Sequence, residues 1–293
     1  MTRKLSIAAV QAAPLPIGAP LDAFGTDVRR HRDAGADVVV YPELHLFGTD
    51  PWPAEEREQR QRTASVRLDG ALVDDLRGIA RDTGVRLIPG SICERGDHDE
   101  MYNTALAIDP DGTLTAWYRK VFPWRPFEPF DPGDSFVTCD LGAGTAGMSI
   151  CYDAWFPEVT RHLAWMGAEV VINIVKTTTP DRAQELVLAR ANSIVNQTFT
   201  VSVNCAGPIG MGQSIVVDPE GRVLATAGTD SEVLLVTLDL DEVSRVREEG
   251  TAGSNRMWSQ FLPGDSAISL PLYDGRIDPH RWEPQSTTRT HQQ

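Results

Sequence analysis

Short apolar runs alternate along this chain with longer amphipathic stretches that stop at glycine, and that alternation restricts the fold to the α/β class. Leu5 to Val10 reads as a strand, Leu21 to Ala34 as a helix ending at Gly35, and Asp37 to Tyr41 as the next strand. A second helix is expected over Gly70 to Asp82, capped by Asp69 and stopped by Gly84, with strand Val85 to Ile88 after it. Asn103 to Ile108 and Thr113 to Tyr118 flank Asp109-Pro110-Asp111-Gly112, which predicts a hairpin. The second half repeats the pattern: helix Pro157 to Met166, strand Val170 to Val175, helix Arg182 to Asn196 and strand Phe199 to Val203. A further hairpin, Gln213 to Val217 and Val223 to Ala227, turns around Asp218-Pro219-Glu220-Gly221. Two stacked sheets with outer helices fit this order. Glu55 to Arg62 mixes charge signs and is expected to be a solvated surface helix. There is no repeat and no linker, so residues 1–283 are expected to form one domain. The tail from Pro284 to Gln293 lacks apolar residues and is expected to be mobile.

At 293 residues and 41% apolar, the chain can bury one large core. No stretch approaches the roughly 20 apolar residues of a membrane helix. Without such a span a membrane is not an expected partner, and the formal charge of −14 repels phosphate backbones, so nucleic acid is not one either. The four cysteines, Cys93, Cys139, Cys151 and Cys205, lack the close spacing of a zinc site or a redox pair. No metal or cofactor is expected, and a reducing compartment, the cytoplasm, is the simpler location. Thr2-Arg3-Lys4 followed by Leu5 to Ala13 mimics a short secretion signal, but Gln11 interrupts a run barely long enough, which favours the strand.

Cys151 stands where the strand-like run Met148 to Ile150 meets the helix-opening segment Trp155-Phe156-Pro157-Glu158. Amides at a helix start favour negative charge, so a cysteine facing them is expected to hold more thiolate than a free pKa of about 8.5 allows. A buried apolar cysteine is the plainer alternative. Two other segments bear on the choice. Val38-Val39-Val40-Tyr41-Pro42 delivers Glu43 at a strand end, where sites gather in open sheets. Trp117-Tyr118-Arg119-Lys120-Val121-Phe122-Pro123-Trp124 sets Lys120 among aromatics, with Glu128 following. Taken singly, Glu43 or Lys120 is accounted for as a solvated charge; jointly, the three groups favour a site. A thiol attacking a carbonyl must lose a proton, which a carboxylate can accept and return to departing ammonia. Lys120 and the backbone N–H of Tyr152 are candidate donors to the oxyanion. The chemistry inferred is acyl transfer through a thioester.

Tyr41-Pro42-Glu43, Tyr118-Arg119-Lys120, and Cys151-Tyr152-Asp153 with Phe156-Pro157-Glu158 resemble, in order, the three catalytic motifs of the nitrilase, or carbon-nitrogen hydrolase, superfamily. The resemblance runs from Ile7-Ala8-Ala9-Val10-Gln11 to about Trp258. It takes in Ala189-Arg190-Ala191 through Asn196-Gln197, and Gly212-Gln213-Ser214 with Asp218-Pro219-Glu220-Gly221. It implies a four-layer αββα sandwich in which Glu43 is the general base, Lys120 the oxyanion stabiliser and Cys151 the nucleophile. Glu128 resembles the second glutamate that orients the substrate amide in several family amidases. The segment from Lys120 to Glu128 looks most like the short-chain aliphatic amidase and formamidase branch. A small amide, cleaved with release of ammonia or an amine, is the implied substrate. A homo-oligomer, dimer or higher, is the implied assembly, with Tyr273 to Trp282 packing on a neighbouring subunit.

Departures from the subfamilies narrow this further. True nitrilases usually place Trp-Glu after the cysteine, where this chain has Tyr152-Asp153; carbamoyl-amino-acid hydrolases often place arginines where it has Ala154 and Trp155. Trp124, Phe127 and Trp155 are candidate pocket walls, and each could equally be core. Lys176 and Thr177 end a strand on the expected active edge, where Lys176 either meets a substrate carboxylate or is simply exposed. Competing readings remain: a hydrolase of N-carbamoyl amines, an acyltransferase using the same thioester, a non-catalytic assembly module, a cysteine protease using His162, with His45 nearer Glu43 than any nucleophile, and a glycosidase built on Glu43 and Glu128.

Overall fold

A computed structural model describes residues 3–50 and 52–281. Its first half runs β1 (Lys4–Gln11), α1 (Asp22–Asp33), β2 (Val38–Val40), α2 (Ala54–Ala64), α3 (Ala71–Thr83), β3 (Arg86–Ile88), β4 (Ser91–Arg95), β5 (Met101–Ile108) and β6 (Leu114–Arg119). The second half runs β7 (Thr138–Asp140), β8 (Thr145–Ile150), α4 (Pro157–Trp165), β9 (Val170–Val175), α5 (Arg182–Asn196), β10 (Phe199–Asn204), β11 (Ile215–Val217), β12 (Val223–Thr226), β13 (Glu232–Asp239) and α6 (Asp241–Glu249). A small hairpin follows, β14 (Ile268–Leu270) with β15 (Gly275–Ile277).

One sheet is ordered β13-β1-β2-β3-β5-β4, with β6 also pairing with β5; the other is ordered β12-β11-β10-β9-β8-β7. The strands β1-β2-β3 and β8-β9-β10 are parallel. These central strands are buried on both faces; β2 is apolar throughout and β9 nearly so, whereas β8 and β10 alternate apolar residues with Ser149 and with Thr200, Ser202 and Asn204. In β2, Val38 and Val40 enter the core between the sheets, while Val39 packs outward with Phe24 and Val28 of α1 and Val73 and Leu76 of α3. In β9, Val170, Ile172 and Ile174 face the other sheet, and Val171 lies with Val159 and Leu163 of α4. Alternation within continuous apolar runs thus builds four layers, helices outside and two sheets inside, as the resemblance implies. Gln11 joins the sheets: its amide donates to the carbonyls of Gly228 and Asp230, and its Oε1 accepts from Ser214.

The helices and hairpins form close to their expected bounds, with one local correction. Gly70, not Asp69, occupies the N-cap of α3; the Asp69 carboxylate is drawn 3.0 Å from Arg67 instead. The sequence reading also missed β4, β7, β13 and α6. β4 and β7 are short, α6 is heavily charged, and β13 has its partner far away in sequence, pairing along its whole length with β1. Among the described residues no helix is long and apolar enough to cross a membrane. The expected tail, 284–293, and Trp282 lie outside the described residues.

Candidate active site

The carboxyl ends of β2, β8 and β9 meet at one edge of the sandwich, the place where open α/β sheets collect polar chemistry. Glu43 follows β2, Cys151 directly follows β8, and Lys176 and Thr177 follow β9. Lys120 follows β6, whose hairpin with β5 aims it into the same place. Two backbone corners help present these groups. Cys151 itself has φ 48°, and Leu44, just after Glu43, has φ 51°; side chains seldom occupy this left-handed region, and such strain gathers at functional sites. Gly90 fits beneath the Glu43 segment because a Cβ there would stand 2.0 Å from the Pro42 carbonyl oxygen.

Lys120 is fully buried and its ammonium sits between two carboxylates. Nζ donates to Glu43 Oε1 at 3.1 Å and to Glu128 Oε1 and Oε2 at 2.7 and 2.8 Å. Glu43 is 2% exposed and receives two further donors, Asn103 Nδ2 at 2.7 Å and the Lys176 backbone N–H at 2.9 Å. Glu128 also accepts the Trp124 N–H at 3.0 Å. Burial disfavours the Lys120 cation, but Glu43 and Glu128 outweigh it and hold the group above its ordinary value. Burial pushes the Glu128 carboxyl up, against the pull of Lys120.

The Cys151 thiol is also pushed well up, chiefly by burial and then by the Glu43 charge, with Lys120 opposing. This overturns the expectation of a standing thiolate. The physical reason is that α4 begins only at Pro157, so Cys151 faces no long helix; it opens a 3-10 turn, Cys151–Trp155, beside a carboxylate. The Tyr152 N–H lies in the first turn of that segment, where backbone donors have no partner within the helix. Thr177 Oγ1 is 3.9 Å from Cys151 Sγ and donates to Glu185, whose carboxylate oxygens are each 2.8 Å away. Glu185 is paired in turn with buried Arg182 at 2.9 Å.

The remaining candidates divide. Lys176, for which an exposed position was one expectation, is not exposed: its ammonium pairs with Asp50 at 3.1 Å and is largely buried, while its backbone N–H serves Glu43. Phe127, a candidate wall, is 68% exposed with its ring against Trp124, which places it at the rim. Trp155 is half-buried beside the Tyr152 ring. His162 stacks on Phe136, and its Nδ1 meets the Glu158 carbonyl. His45 stacks on Tyr41, and burial pushes its imidazole down to about 4. Neither histidine partners the sulfur. Asn103, Asp153 and Glu185 were missed, because a polar residue inside a strand, turn or helix carries no local sign of what it will touch.

The sequence profile of the carbon-nitrogen hydrolase family matches residues 6–248. A formamidase of Pseudomonas syringae pv. syringae is 32% identical over 227 residues, 74% of this chain and 64% of that protein. The chain therefore spans somewhat less than two thirds of the formamidase's length. The mouse omega-amidase NIT2 is 30% identical over 241 residues, 76% of this chain and 83% of that protein. Among solved structures, Saccharomyces cerevisiae Nit3, of the nitrilase superfamily, superposes with a TM-score of 0.75 at 27% identity, covering 84% of this chain and 93% of Nit3. An amidase from Nesterenkonia sp. AN1, solved with the acetamide moiety of fluoroacetamide on its active site cysteine, gives 0.68 at 26% identity, covering 82% and 92%. With the profile matched over most of its length and the sandwich shared, this chain belongs to the carbon-nitrogen hydrolase family.

Proposed function

We propose that this protein cleaves the carbon-nitrogen bond of a small linear amide through a thioester on Cys151, with Glu43 as general base and Lys120 stabilising the oxyanion. The observation that carries the reading is the buried contact of Lys120 Nζ with Glu43 at 3.1 Å, next to a sulfur that both charges influence. Because burial and the Glu43 charge push the thiol up, attack needs a base within the site. The sulfur adds to the amide carbonyl as its proton passes to Glu43. The resulting oxyanion faces the Lys120 ammonium and the Tyr152 N–H, where each donor is worth roughly 3 to 4 kcal/mol of barrier. Breaking the C–N bond, Glu43 returns the proton to nitrogen, which departs as ammonia or an amine. Water then attacks the thioester, giving its proton to Glu43; the C–S bond breaks and the thiol is restored. Glu128 anchors Lys120 and offers a carboxylate edge to the substrate amide.

Support for an amide comes from the amidase names of the relatives and from the acetamide moiety carried by the Nesterenkonia cysteine. A homo-oligomer is part of the same reading, supported by exposed Val187, Ile194 and Val195 on α5 and Val223 and Leu224 on β12. The test is ammonia release over formamide, short aliphatic amides, carbamoyl amines and nitriles, with intact-mass detection of an acyl adduct on Cys151. Loss of both signals in Cys151→Ala is expected. A preference for a nitrile or a carbamoyl amine, or turnover that survives Cys151→Ala, overturns the reading. Hydroxamate formed when hydroxylamine is added measures acyl transfer from the same thioester.

A further inference from the structure

Cys151 and Lys120 leave different sheets: Cys151 directly follows β8 of the second, and Lys120 follows β6 of the first. No backbone ladder joins the two, so their relative placement depends on side chains that cross between them. One does so with every oxygen engaged. Asp153, in the turn that Cys151 opens, is fully buried. Its Oδ2 accepts the Ile150 N–H at 2.9 Å and the Tyr118 hydroxyl at 2.8 Å, and its Oδ1 accepts the Phe122 N–H at 2.9 Å. Ile150 immediately precedes the nucleophile, and Tyr118 and Phe122 bracket Lys120 on either side. The Tyr118 hydroxyl also accepts the Val121 N–H at 3.4 Å.

We propose that Asp153 is a positioning residue that, through Tyr118 and the Phe122 amide, locks the Cys151 turn to the Lys120 segment and sets the distance from sulfur to ammonium. A carboxylate is suited to this because it is acceptor-only and can take several N–H and O–H donors at once. Bonds to a charged acceptor are shorter and stronger than neutral ones, which makes the link stiff. Asp153 touches no reacting atom; it acts through the residues it holds.

The inference rests on the proposed role of Cys151 and Lys120, and the experiment separates the two. Tyr118→Phe keeps the buried ring and removes one bond; Asp153→Asn keeps the shape and places an NH2 group where an acceptor stood. With butyramide as probe, kcat is expected to fall by about 10- to 100-fold in each variant. KM should change less than about twofold, as for a defect felt in the transition state. Val246→Ala, a core truncation in α6, serves as the control for lost stability. By hydrogen exchange, Tyr118→Phe is expected to loosen the peptides around 118–123 and 148–153 together. If kcat in Tyr118→Phe and Asp153→Asn stays within twofold of the parent, or falls no further than in an equally destabilised Val246→Ala, the lock is not what sets the rate and the proposal fails. Should the parent release no ammonia and form no Cys151 adduct, the proposed function fails by itself. The exchange measurement then still decides the lock, which is overturned if loosening stays confined to 118–123.

Discussion

The ammonium of Lys120 donates to both carboxylate oxygens of Glu128, at 2.7 and 2.8 Å, while also reaching Glu43 at 3.1 Å. One buried cation is therefore shared between two acids. Lys120→Met is expected to leave both acids unpaired and to cost about 3–5 kcal/mol at pH 7. Glu128 is already raised by burial, and without Lys120 it rises further. A carboxyl whose folded pKa lies above its unfolded value contributes stability at low pH and loses it as pH rises through the folded pKa. Urea denaturation of the variant should consequently show recovery on going from pH 7 to pH 5, relative to the parent. A deficit independent of pH would contradict this electrostatic account.

Glu43 pushes the Cys151 thiol up and is also its proposed base, so one substitution is expected to move two rates in opposite directions. In Glu43→Gln, iodoacetamide should label Cys151 faster at neutral pH because the thiolate is less disfavoured. Amide turnover should meanwhile drop by at least about 100-fold, the usual share of a general base. In the parent, labelling should be slow at pH 7 and keep rising beyond pH 9. Cys93, Cys139 and Cys205 are buried whereas Cys151 is partly exposed, so mass mapping should find the label on Cys151. Slower labelling of the Gln variant would refute the assignment.

Asn103 is fully buried and gives its side-chain N–H to Glu43 at 2.7 Å. Asn103→Leu removes that donor beside a buried carboxylate. The expected cost is about 1–3 kcal/mol of stability, with kcat reduced more than KM is raised. Thermal denaturation and steady-state kinetics check both parts.

Gly90 has φ +92°, and a Cβ there would stand 2.0 Å from the Pro42 carbonyl oxygen. Gly90→Ala must therefore shift the segment that carries Glu43. Activity is expected to fall further than a comparable glycine substitution at Gly35, where a Cβ meets nothing within 4 Å. Equal losses at the two positions would show that backbone strain, and not displacement of Glu43, is responsible.

The order of strands and helices is legible in the chain because it depends on neighbours: apolar alternation, glycine stops, and prolines at strand ends. Glu43, Lys120 and Cys151 stand out for the same reason, each closing an element or opening the next. Local signals fail where a residue's partner is remote. Asp69 has the chemistry of a cap, yet Arg67 takes its carboxylate. An exposed position was one expectation for Lys176, yet Asp50, on another loop, pairs with it.

From the sequence alone follow the α/β class, the places where polar groups meet strand ends, and the resemblance of three motifs to one family. Only the tertiary structure decides that Lys120 is shared between two acids, that Asp153 spans the sheets, and that burial and the Glu43 charge push the Cys151 thiol up. Propensity and patterning act over a few residues, whereas burial and charge depend on what distant segments bring to the same few ångströms.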